Sequence, residues 1–193
     1  MIITENKFLE DSEGWCSYIF NEGYTDRERN QFMPAKWVKG GEFDRFSHIW
    51  VDQKMWSWDT LENPVSILPL VYYRSWTNHP PMCLTDTKIS FRIRGEDLHL
   101  YGAKLFFWVF TPYTRWHYIF CPFVISELWE NVSFKLINKE SLWHCSWVKK
   151  GHNQKSLGFT LKRTTSYGFS LVGWEEGCNP KGKLCMSHFK IEK

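Results

Sequence analysis

Lys88 to Phe110 reads KISFRIRGEDLHLYGAKLFFWVF. Ile89, Phe91 and Ile93 alternate with Ser90, Arg92 and Arg94. Successive side chains point to opposite faces of a strand, so this segment has one apolar face and one basic face. Gly95-Glu96-Asp97 breaks the alternation. Lys104 to Phe110 then reads as a second strand, apolar on both faces, so both must be covered or one must meet a ligand. With Leu105, Phe107 and Val109 turned inward, Phe106, Trp108 and Phe110 turn outward. The two strands are expected to form the central pair of the fold.

Working outward, the same short period recurs. Arg115 to Phe120 (RWHYIF), Asn131 to Ile137 (NVSFKLI) and the Trp-rich Leu142 to Val148 read as strands, and Tyr167 to Gly173 with Leu184 to Ile191 as a closing pair. Leu157 to Thr165 reads as a short helix or turn. On the N-terminal side, Ile2 to Phe8 and Trp15 to Phe20 flank an acidic turn, and Phe46 to Val51 alternates weakly. Ser66 to Tyr73 is a strand whose Pro69 demands an edge or a bulge. Tyr24 to Gln31 and Thr77 to Thr87 read as loops, and so does Gln53 to Asn63, with Trp56 and Trp58 exposed. No segment keeps a 3.6-residue period for three turns. Many short strands with Gly/Pro turns imply an all-β fold, a two-sheet antiparallel β-sandwich, with residues 1–193 as one domain.

The chain has 193 residues, enough to bury a full core, and its net charge of +3 is too even to imply nucleic acid. Its rings are unusual: 12 Trp, 15 Phe and 8 Tyr. Most are expected to fill a wide core, and the rest to line a ligand surface. The six cysteines lack CxxC spacing and read as free thiols, although Cys178 and Cys185 flank a turn and can face each other. Cys178, Cys185 and His188 also offer three zinc ligands, without a fourth. The N-terminus shows neither the basic n-region nor the apolar h-region of a signal peptide. No apolar run is long enough for a membrane span. The expectation is a soluble, cytoplasmic chain that does not engage membranes. Its oligomeric state is left open. No phosphate-binding glycine motif is present.

Ser166 to Trp174 (SYGFSLVGW), Gly182-Lys183-Leu184 and Phe189-Lys190-Ile191 resemble the closing strands of galactose-binding-like jelly-roll domains, the β-sandwiches of many carbohydrate-binding modules. Ile89 to Gly95 with Gly102 to Val109 is similar to their mid-domain strand pair. Trp129-Glu130-Asn131-Val132-Ser133 resembles the Trp that precedes their next strand. The resemblance spans about Lys88 to Ile191. It implies a jelly roll and a non-catalytic, lectin-like role: binding an oligosaccharide or polysaccharide. It also implies a structural calcium between the N-terminal acidic turn and the last strand. Here Cys185-Met186-Ser187-His188-Phe189 lacks the carboxylate, and Glu10, Asp11 and Glu13 supply only one side of an oxygen cage. The expectation is therefore no cofactor, with calcium as the minor alternative.

Sugar recognition needs a flat ring against the apolar face of a pyranose and a few fixed polar groups. Trp108 is the candidate platform. Arg92, Arg94 and Arg115 are candidate forks, with His117 on the face of Arg115, and guanidinium forks suit an acidic sugar. Trp56, Trp58 and Trp76 form a second candidate surface at the rim. The alternatives are a protein-interaction or structural module with buried rings, and a polysaccharide lyase using Arg115, His117 and Tyr118, although Tyr118 must face away from His117.

Overall fold

The computed structural model describes residues 1–19, 31–41, 44–73 and 79–193. Its strands are β1 (Ile2–Asn6), β2 (Trp15–Ile19), β3 (Gln31–Pro34), β4 (Lys36–Val38), β5 (His48–Asp52), β6 (Ser57–Asp59), β7 (Ser66–Tyr73), β8 (Lys88–His99), β9 (Lys104–Thr111), β10 (Thr114–Phe123), β11 (Glu130–Lys135), β12 (Trp143–Val148), β13 (Ser166–Val172) and β14 (Lys181–Glu192). They form two antiparallel sheets. Sheet I runs β11-β8-β14-β5-β4, with β1 also on β14. Sheet II runs β12-β10-β9-β13-β7-β2-β3, with β6 also on β7. The sequence-derived fold class, an antiparallel two-sheet sandwich, is the observed one. Positions 24–30 of the loop read at 24–31, and Trp76, lie outside the described residues. Among the described residues no helix is long and apolar enough to cross a membrane.

Alternation builds the core. Ile89, Phe91 and Ile93 of β8 and Phe189 and Ile191 of β14 face Leu105, Phe107 and Val109 of β9 and Tyr167, Phe169 and Leu171 of β13, all buried. Rings join the layers. Phe91 and Phe169 lie 5.0 Å apart, and Trp15 and Phe189 4.8 Å, both edge to face. Such contacts add to the burial of large apolar area. The one described α-helix, α1 (Leu157–Lys162), packs on β9 and β10. Ser156 caps it by accepting the Phe159 N–H at 3.3 Å.

Three local readings change. Gly95-Glu96-Asp97 does not end a strand, because β8 runs to His99. The irregularity is a bulge in which Glu96 and His99 pair with Lys183 and Lys181, with Asp97 at φ 48°. Second, β8 and β9 are not neighbours. The turn at 100–103 carries the chain from sheet I to sheet II, and β8 pairs with β11 and β14 while β9 pairs with β10 and β13. Third, 53–63 is not a plain loop. Trp56 is 7% exposed and belongs to the core, and Ser57–Asp59 pairs with β7. Pro69 sits at a bulge: Phe169 and Leu171 of β13 pair with Leu70 and Ile67. It also falls between the stretch of β7 that pairs with β6 and the stretch that pairs with β2. Its missing N–H therefore costs the ladder nothing.

Candidate functional site

The residues expected to form one surface are divided between the two outer faces of the sandwich. Arg92 and Arg94 stand on the outer face of sheet I. Trp108, Arg115 and His117 stand on the outer face of sheet II, where His117 pairs with Trp108 and Arg115 with Phe110. Trp58, 40% exposed, meets Trp174 edge to face at 5.0 Å on the sheet II side. The joint platform of Trp108 with Arg92, Arg94 and Arg115 therefore does not exist, because the chain changes sheets between β8 and β9.

The sheet II face is also closed. Trp108 and His117 are 2% exposed and Arg115 is 9%. The segment 57–65 lies across them. Arg115 donates to Asp59 at 2.9 Å and to Glu62, and its guanidinium stands 4.9 Å from the Trp108 ring centroid. Glu62 also accepts from Ser66 of β7 and, at 3.1 Å, from Ser146 of β12. Strands β13, β9 and β10 separate those two partners. In a flat sheet the lateral spacing alone would hold them roughly 19 Å apart, at about 4.8 Å per strand. One carboxylate reaches both because sheet II curls into a trough around it.

Burial is the largest influence on Glu62 and works against ionisation. The nearby Arg115 and His117, with the Ser66 and Arg115 hydrogen bonds, outweigh it and hold the carboxyl below its ordinary range. Burial likewise pushes His117 down to about 4 against the pull of Glu62, with Arg115 and His144 adding to the depression. His117 is therefore neutral, hydrogen-bonded to Ser170 at 3.1 Å. Arg115 is the cation that matches Glu62 and Asp59. Trp108, Arg115 and His117 do share a face, as alternation requires, but that face is packed. Tyr118 faces the core, 1% exposed, so the Arg115–His117–Tyr118 set of a lyase meets no polymer.

The outer face of sheet I is open beside Arg92. A bulge in β14 sets Arg92 and Ser90 of β8 opposite Ser187 and Lys190, and His188 lies within it at φ 49°. The extra residue turns His188 to the same face as Ser187. The loop before β5 forms the facing wall. Gly40 allows its close approach, since a Cβ there would lie 2.5 Å from the Ser47 nitrogen. The Gly40 N–H donates to the Ser47 hydroxyl at 2.9 Å. Asp44 fixes the rest: its carboxylate accepts from Phe46 N and Trp129 Nε1, each at 3.2 Å, and from Arg94 at 2.8 Å. Phe46 is thereby held edge-on to Trp129, centroids 5.9 Å apart, with the Arg92 guanidinium 4.2 Å above its ring.

Between these walls lies a groove of about 330 Å³, bordered by Lys7, Arg45, Phe46, Arg92, Ser187 and His188. Among the described residues no carboxylate lines it. Glu5, behind the rim, pairs with Lys7 at 3.4 Å and His188 at 2.9 Å. Among the described residues no carboxylate lies within ion-pair distance of Arg45 or Arg92, while Arg94 is spent on Asp44 and on Glu96 at 2.5 Å. Of the residues proposed from sequence, Arg92 alone lines this groove. Lys7, Arg45, Phe46 and His188 were missed. Lys7 and Phe46 fall just outside β1 and β5, Arg45 is in the loop, and His188 sits in a β-bulge, so strand alternation does not place their side chains.

The metal-ligating residues regroup as well. Cys178 and Cys185 are free thiols, and His188 pairs with Glu5, so the sequence-derived zinc set is not assembled. Instead His48, Glu96 and Cys185 bring one ligand atom each within 4.8 Å of the others. Arg94 reaches Glu96 of that cluster at 2.5 Å, and burial raises the Cys185 thiol to about 12. At the acidic turn, Glu13 accepts from Asn6 Nδ2 at 3.0 Å and from the Phe8 N–H, which closes the turn on itself.

No protein-family model and no curated protein matches the sequence. Two solved structures are similar over nearly the whole chain. One is the family 11 carbohydrate-binding module of the cellulosomal cellulase Lic26A-Cel5E of Clostridium thermocellum: 15% identical, covering 99% of this chain and 95% of that one, TM-score 0.52. The other is a family 11 carbohydrate-binding module from the same organism in complex with a β-1,3-1,4-mixed-linked tetrasaccharide: 16% identical, covering 97% and 94%, TM-score 0.51. At such identities the likeness concerns the fold, and the fold is the β-sandwich jelly roll of these carbohydrate-binding modules.

Proposed function

We propose that the protein is a non-catalytic glycan-binding module whose ligand lies in the groove on the outer face of sheet I. The observation that carries this reading is the groove itself. It is an open depression on a jelly-roll face, with the Phe46 ring beneath the Arg92 guanidinium and with Arg45 and Lys7 as further donors at its border. A few placed polar groups around an apolar patch orient a sugar by its hydroxyls. The structurally similar modules named above, one of them in complex with a tetrasaccharide, support the class of ligand. Glycoside hydrolysis needs two carboxyl groups flanking the bond. The described groove lining has none, which supports binding without turnover.

The test is a titration of the intact protein with a panel of neutral and acidic oligosaccharides, followed by intrinsic fluorescence. Trp129 is the reporter, packed edge-on to Phe46 beside the groove. A saturable change with no new reducing ends or unsaturated products supports the proposal. A flat response across the panel, or turnover of any member, defeats it.

A further inference from the structure

We infer that the glycan is acidic, with a carboxylate or sulfate group held between Arg92 and Arg45. This rests on the glycan-binding reading above and narrows it. Among the described residues the groove border includes Lys7, Arg45, Arg92 and His188 and no acid. Glu5 answers Lys7 and His188 from behind the rim. The two guanidinium groups have no such answer among the described residues, and both flank one ring: Arg92 at 4.2 Å and Arg45 at 5.3 Å from the Phe46 centroid. The Arg92 Nε donates to Asn131 at 3.2 Å, which orients its fork, and among the described residues no carboxylate pairs with its terminal nitrogens. Neighbouring cations that repel each other and lack a counter-charge favour an anion placed between them. The planar fork suits a uronate carboxylate or a sugar sulfate better than a neutral hydroxyl pair. The arginines elsewhere on the sheets do the reverse: Arg94 and Arg115 are each matched by two carboxylates of the chain itself.

The experiment is calorimetric titration of the intact protein with size-matched neutral glucan, polygalacturonate and sulfated oligosaccharides, at low salt and at about 0.5 M salt, with a single-stranded oligonucleotide as a further arm. The expected result is tighter binding of one acidic series than of the neutral one by about tenfold or more, the margin shrinking at high salt. Arg92→Ala and Arg45→Ala should each remove about tenfold on the acidic series and little on the neutral one. Arg92→Lys, which keeps the charge and loses the fork, should recover part of it. Equal or tighter binding of the neutral series would overturn the inference and leave glycan binding standing. Binding of the oligonucleotide with no acidic glycan would overturn both. So would the absence of binding to any sugar by a protein whose melting is normal.

Discussion

Glu62 shows how one residue can close a face that its neighbours would otherwise open. Arg115 is buried with two acceptor carboxylates, and a guanidinium in that position without a counter-charge costs several kcal/mol. Glu62→Gln is expected to destabilise the fold by about 1.5 kcal/mol in urea unfolding, since it weakens the hydrogen bonds from Arg115, Ser66 and Ser146 while Asp59 still balances the guanidinium. His117 adds a pH dependence. Its ordinary value of 6.5 falls to about 4 in the fold. The unfolded chain therefore takes up a proton that the folded chain refuses, and stability drops as pH falls through that window. Between pH 7 and pH 5 the wild type should lose about 2 kcal/mol from this group, and His117→Gln should flatten the slope. The depressed Glu62 carboxyl acts in the same direction at still lower pH, because its stabilisation is present above its ordinary value of 4.5 and is lost in acid. A pH-independent stability from 7 to 5 would show that His117 does not titrate as its burial requires.

At the scale of the element, β13 is the strand on which sheet II depends. It is buried along its whole length and pairs with both β7 and β9. Gly168 sits opposite Trp108 in register, and a Cβ there would lie 2.2 Å from the Leu70 carbonyl oxygen and 2.9 Å from the Trp108 ring. Gly168→Ala is expected to cost about 3 kcal/mol through overpacking. Gly41→Ala, where a Cβ meets nothing within 4 Å, should stay within about 0.5 kcal/mol in the same denaturation assay. Alternation made the strands and their inward faces legible in β8, β9, β10 and β13, because a period of two survives whatever the sheet order. Which strands pair was not legible. The turn at 100–103 can close a hairpin or cross between sheets, and nothing local distinguishes the two. Bulges were half legible: proline marked the one in β7, while those near Asp97 and His188 carry no such mark.

Taken whole, the molecule is a sandwich with two unlike outer faces. Sheet II curls, fills its trough with Trp108 and Arg115, and draws 57–65 over them. Sheet I keeps a cation-lined groove. The fold class could be read because it depends on periodicity summed over many segments. The site could not, because the groove joins positions as distant as Lys7, Phe46, Arg92 and His188. Arg92 was identified by its alternation with core residues, but its actual partners needed the fold to bring them together.

The central claim is that the ligand occupies sheet I. The direct measurement is amide hydrogen exchange on the intact protein, with and without a saturating oligosaccharide from the fluorescence panel. Slowed exchange at 44–47, 90–94 and 186–189, unchanged exchange across 57–65 and 104–117, and loss of the protection in Arg92→Ala are predicted. Protection confined to 57–65 and 104–117, and retained in Arg92→Ala, would place the ligand in the sheet II trough and contradict the account.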